Sequence, residues 1–88
     1  GQTGDTKNAI EVLLQTIKLK PNYTNAYYAL GLYYHQAAIN EKGVVVDYQL
    51  QDKAIEQMKF ILEKLSPKNE LAKEALETWE RELPSPSR

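Results

Sequence analysis

At 88 residues, with 42% apolar and 26% charged side chains, the chain has the composition of one small soluble domain rather than a disordered segment. Eleven Lys and Arg against twelve Asp and Glu leave a net charge of −1, so no basic stripe argues for nucleic acid and no acidic tail for a basic partner. The lack of cysteine excludes disulfides and thiolate zinc sites and leaves the compartment open.

The chain opens with Gly-Gln-Thr-Gly rather than Met, which reads as a fragment of a longer protein beginning with an expression remnant. A first helix is predicted over about 5–20, capped by Asp5 or Thr6. Ala9, Ile10, Leu13, Leu14 and Ile17 form its apolar stripe, and Pro21 ends it, because proline disfavours helix in the residue before it. A second helix is predicted over about 24–40, opened by Thr24 and stopped before Gly43. Pro21 to Asn40 is the longest uncharged run, and it is too polar to span a bilayer.

Residues 41–50 break the helical rhythm. Gly43-Val-Val-Val-Asp-Tyr-Gln-Leu-Gln is β-branched and weakly alternating, but no partner strand is evident, and a lone strand is unstable. The segment reads as an extended loop lying on the helices; the alternative is that Asp47–Leu50 makes an early turn of the third helix. That helix is predicted over about 51–65, starting at Gln51 or Asp52. Its buried face holds Ala54, Ile55, Met58, Ile61 and Leu62, with Phe60 and Leu65 on the flank. The fourth, about 69–83, takes Asn69 as N-cap and Leu71, Ala72, Ala75, Leu76, Trp79 and Leu83 as its stripe. Residues 84–88, Pro-Ser-Pro-Ser-Arg, read as a flexible tail. The expected class is all-α, about four helices in one domain over 1–83.

Within the second helix, Tyr27, Leu30, Gly31 and Tyr34 are spaced +3, +4 and +7, on one helical face. The glycine there lets a neighbouring helix approach, at a propensity cost of ~1 kcal/mol. Ala9-Ile10-Glu11 recurs as Ala54-Ile55-Glu56, each leading through a helix to a proline, Pro21 or Pro67. The octad resembles the W-x2-L-G-x2-Y signature of the tetratricopeptide repeat, with Tyr27 in the Trp slot.

That resemblance implies an antiparallel helix-turn-helix α-solenoid fragment: helix B of one repeat, a complete repeat, and a following helix A. Structural positions carried over are Ala9, Pro21, Tyr27, Leu30, Gly31, Tyr34, Ala54 and Pro67. Ala54 follows Ala9 by 45 positions, against a family period of about 34, so about 11 residues are inserted between helices A and B. The third helix also reaches its proline one residue late, 13 positions after Ala54 where Pro21 follows Ala9 by 12. The fourth helix departs from the pattern, with Lys73 in the Trp slot and Glu77 in the Gly slot, and reads as a solvating cap.

By the same resemblance, the concave face of helix A carries a peptide or protein partner, and no cofactor is implied. Its residues here would be Asn25, Tyr28, Leu32, His35 and Gln36, a row rotated from the packing stripe. The plainer alternative is that Tyr28 and Leu32 pack on the inserted loop. The family's chaperone-tail clamp is not matched, since Tyr28 and Leu32 stand where Lys and Asn are needed. His35, alone and without a nearby carboxylate or Cys, reads as a hydrogen-bonding surface residue rather than a metal ligand or catalytic base. Tyr23, Tyr27, Tyr33 and Tyr34 read as packing residues. Trp79 reads as core or half-exposed cap; if exposed, it would mark where a second copy docks. The competing accounts are a structural spacer of a larger enzyme or membrane protein and self-association through Trp79.

Overall fold

The computed structural model describes residues 3–82. It contains α1 (Thr3–Leu19), α2 (Thr24–Ala38), α3 (Tyr48–Phe60), a π-helical turn (Ile61–Leu65) that continues α3, and α4 (Glu70–Arg81). Each helix packs on the next, α1 on α2, α2 on α3 and α3 on α4, giving the all-α antiparallel repeat expected. Leu83 and the 84–88 tail lie outside the described residues.

The α2–α3 contact is the tightest. A Cβ added at Gly31 would overlap Met58 Cε and stand 3.3 Å from the Ala54 carbonyl oxygen and 3.4 Å from Gln57 Cβ. Leu30, Tyr34, Ala54, Met58 and Ile61 close around this approach, joined by Tyr27, Ile55, Ala72 and Trp79. Tyr27 does two jobs at once: its hydroxyl donates to the Pro21 carbonyl at 2.8 Å, and its ring lies 4.7 Å from that of Phe60. The octad is thereby tied both to the turn before it and to α3.

The two proline turns are built alike. Tyr23 N donates to the Lys20 carbonyl and Asn69 N to the Ser66 carbonyl, each at 3.1 Å, closing a β-turn with proline at its second position. Before the turn they differ. Lys20 N donates to Thr16 O, four residues back, whereas Ser66 N donates to Ile61 O, five back. The extra residue before Pro67 is therefore absorbed as a π turn, the usual helical form of a single-residue insertion.

Several boundaries differ from the sequence reading. The first helix begins at Thr3, ahead of Asp5 and Thr6. Tyr23, not Thr24, is the N-cap of α2 and supplies no side-chain bond, while Asn69 caps α4 through Ala72 N at 2.9 Å. The third helix starts at Tyr48, because Asp47 Oδ1 accepts from Leu50 N at 3.1 Å; the early-turn alternative is the one formed. Second-helix geometry ends at Ala38, and Gly43 sits instead in a tight reversal with φ +79°. There Asn40 Oδ1 accepts from Lys42 N and Val44 N, and Val45 pairs with Ile39 in an isolated antiparallel bridge. The inserted segment does find a partner, namely the end of α2.

Burial corrects three assignments and decides a fourth. Leu14 and Leu71 are exposed at the edges of their stripes, and the Tyr23 ring is exposed with Lys20 Nζ 5.7 Å above it. Trp79 is only 5% exposed, so its indole is not an open docking face and self-association through it loses its basis. Among the described residues the ion pair is Lys59–Glu80 at 3.9 Å, half exposed and worth under about 1 kcal/mol.

Two outcomes follow for stability. Gly31→Leu should cost about 1–3 kcal/mol by overpacking, while Gly31→Ala should be far milder because only the flexible end of Met58 has to move; chemical denaturation of both reads this out, and a neutral Gly31→Leu would contradict the close approach. Tyr34 is buried, and desolvation, with Glu56 nearby, raises its hydroxyl pKa above 10.0. The unfolded chain then releases that proton first, so the stabilisation is intact below about pH 10 and is lost as pH rises through and beyond it. Tyr34→Phe should flatten that part of the alkaline stability loss measured by circular dichroism.

Candidate functional site

The row Asn25, Tyr28, Leu32, His35 advances by +3, +4, +3 along α2, so helix geometry stacks it on one face beside the buried octad. Asn25 is exposed, Leu32 is 41% exposed, and Tyr28 is half-buried against the core. The 39–47 turn closes on Ala38 and Asn40, and Ala38 lies six residues beyond Leu32, roughly 9 Å at 1.5 Å per residue. Gln36, one residue after His35, turns the other way. It lines a cleft of about 720 Å³ between α1 and the end of α2, with Thr6, Lys7, Ile10, Asn40 and Leu50 among its walls. The five predicted positions thus split into a row of four and an outlier.

His35 is where α2, α3 and α4 meet. Its ring stacks on that of Trp79, with centroids 4.7 Å apart and planes at 15°. Its Nδ1 is 2.7 Å from Gln51 Oε1. Gln51, 0% exposed, continues the chain of bonds: Nε2 donates to the Trp79 carbonyl at 3.5 Å and to Glu82 Oε1 at 3.3 Å. One amide in the first turn of α3 therefore joins α2 to the last turn of α4. A buried carboxamide is tolerated because its donors and its acceptor are all used.

The sequence marks Gln51 only as a helix boundary, with no part in the site. Its signal was present nonetheless. Ala54, Ile55 and Met58 stand at +3, +4 and +7 from it, so the buried stripe of α3 extends back to Gln51 once the helix starts at Tyr48. Its polar side chain concealed the fact.

Among the described residues no group of three or more His, Cys, Asp or Glu is placed to hold a metal ion. No helix among them is long and apolar enough to cross a membrane.

Gln51→Leu should destabilise by about 1–3 kcal/mol, because the His35 N–H and the Trp79 carbonyl lose a partner in a desolvated place. The exposed neighbour Gln49→Leu is the control. Equal midpoints for the two variants in urea would contradict the role given to Gln51.

Residues 2–37 match the family model of the TPR repeat, spanning α1 and α2 and stopping where the long turn begins. No curated protein and no solved structure matches the chain. Repeats of this family generally mediate protein–protein interaction, and the family is typically a non-catalytic interaction module. Residues 2–37 thus match the TPR repeat, and the all-α helical fold continues beyond them through α3 and α4.

Proposed function

We propose that this chain is a non-enzymatic interaction module that takes a peptide or protein segment along the α2 face carrying Asn25, Tyr28, Leu32 and His35. The observation that carries the reading is Leu32, a large aliphatic side chain 41% exposed midway along a row that otherwise offers an amide, a tyrosine and an imidazole. Apolar area ringed by hydrogen-bonding groups is what a peptide surface needs. The helix that bears the row is held alongside it by the Gly31 approach to α3, so little ordering cost is left to binding. Gln36, on the α1 side, is outside this surface.

Leu32→Ala should weaken capture of a bound peptide at least roughly tenfold while leaving the far-ultraviolet circular dichroism and the urea midpoint unchanged, a loss in the range of an interface anchor. Adding Tyr28→Ala should abolish capture, at some cost in stability, because that ring also packs on the core. Capture that survives both changes in a folded protein would refute the assignment of this face. A protein acting only as a spacer in a longer chain would capture nothing with or without them.

A further inference from the structure

The Gln51 carboxamide decides the chemistry of His35. On one side it meets the Trp79 carbonyl oxygen and Glu82 Oε1. Both of these are acceptors, so the amide NH2 has to face them; the reverse orientation would set oxygen against oxygen. The amide oxygen is then the atom 2.7 Å from His35 Nδ1. An amide oxygen has no proton to give, so Nδ1 carries the hydrogen and donates. In the neutral ring that leaves Nε2 as a bare lone pair. Nε2 makes no hydrogen bond among the described residues, and no buried side-chain nitrogen or oxygen there lacks a partner. Nε2 therefore reaches the surface.

We infer, building on the peptide-binding reading above, that His35 Nε2 is a hydrogen-bond acceptor presented to the bound peptide, where it reads an N–H or O–H group. Protonation inverts it. The imidazolium carries hydrogen on both nitrogens, so Nε2 becomes a donor and its pairing with a peptide donor is lost. The scaffold is spared, because Nδ1–H donates to Gln51 in both states. The groups around the ring fit this separation. On α3 the contact is the neutral Gln51, while the cation Lys53 sits over Tyr34 instead, 5.8 Å from that ring's centroid. On α4 the ring meets Trp79, and Glu82 is reached only through Gln51. Among the described residues no carboxylate oxygen lies within 4.0 Å of an imidazole nitrogen. A proton thus changes what the surface recognises without changing the packing that holds it.

His35 is the chain's single histidine, so its ring nitrogens can be followed by heteronuclear magnetic resonance in the intact protein. The expected result is hydrogen on Nδ1 at neutral pH, with Nε2 the atom that gains a proton on acidification; hydrogen on Nε2 at neutral pH overturns the inference. The second arm uses peptides without histidine, selected on the intact protein from a displayed random-peptide library at about pH 7.5 and then measured at about pH 5, either side of the histidine range. Affinity should fall roughly tenfold, the effect of one lost hydrogen bond with a desolvated partner. That pH dependence should vanish in His35→Phe and in the paired variant His35→Phe with Gln51→Leu, which leaves no orphaned amide and guards against misfolding. Peptides that bind both proteins equally at both pH values overturn the role of Nε2 and leave the peptide-binding surface standing. A library that yields no binder removes the surface, and the inference with it.

Discussion

The approach of α2 to α3 at Gly31 is the constraint on which the other features rest. With no Cβ at this position the two helices meet backbone to backbone, Ala54 facing the gap and Met58 filling it. This sets the rotation of α2 about its axis. With Leu30, Gly31 and Tyr34 turned to α3, Tyr28 and Leu32 have to lie off the contact and His35 has to point toward α4. It also brings the first turn of α3 beside His35, where Gln51 bonds to the ring.

Around that contact two segments depart from regular α-helix, and both departures are local. The longer A–B connection is folded into a reversal over Ile39–Asp47, with Asn40 supplying side-chain bonds and Gly43 a positive φ. Val45 turns inward while Val44 and Val46 stay exposed. The extra residue before Pro67 becomes a π turn, so the proline turn keeps the form it has after α1. Neither adjustment disturbs the Gly31 contact, because the reversal leaves from the end of α2 and the π turn begins after Met58. An insertion at a helix end or in a connection is cheap; one in the middle of the contact would rotate every later side chain by about 100°.

Much of this was legible in the residues. The octad, the proline pair and the Ala-Ile-Glu recurrence identify the helices, their order and the packing stripe, and the spacing arithmetic points to the segments where the reversal and the π turn stand. What misled was polarity and position at element ends. Gln51 reads as a boundary because it is polar, and the stripe of α4 leaves Trp79 open between core and half-exposed cap because it cannot say which neighbour covers the ring. Leu14 and Leu71 were assigned inward because they are apolar and adjacent to the stripe, yet each sits at its edge, where a helix leaves part of its apolar band to solvent.

The all-α class, the repeat at 2–37 and the packing role of Tyr27, Leu30, Gly31 and Tyr34 are readable along the chain, since they follow from helical periodicity and from the conformational limits of proline and glycine, which are local. The surroundings of His35 come from three helices meeting in space. Its tautomer depends on an amide 16 positions away, and that amide's orientation depends on groups 28 and 31 positions from it. A hydrogen bond is short and directional, so no pattern along one helix can specify it until three helices have brought its members together.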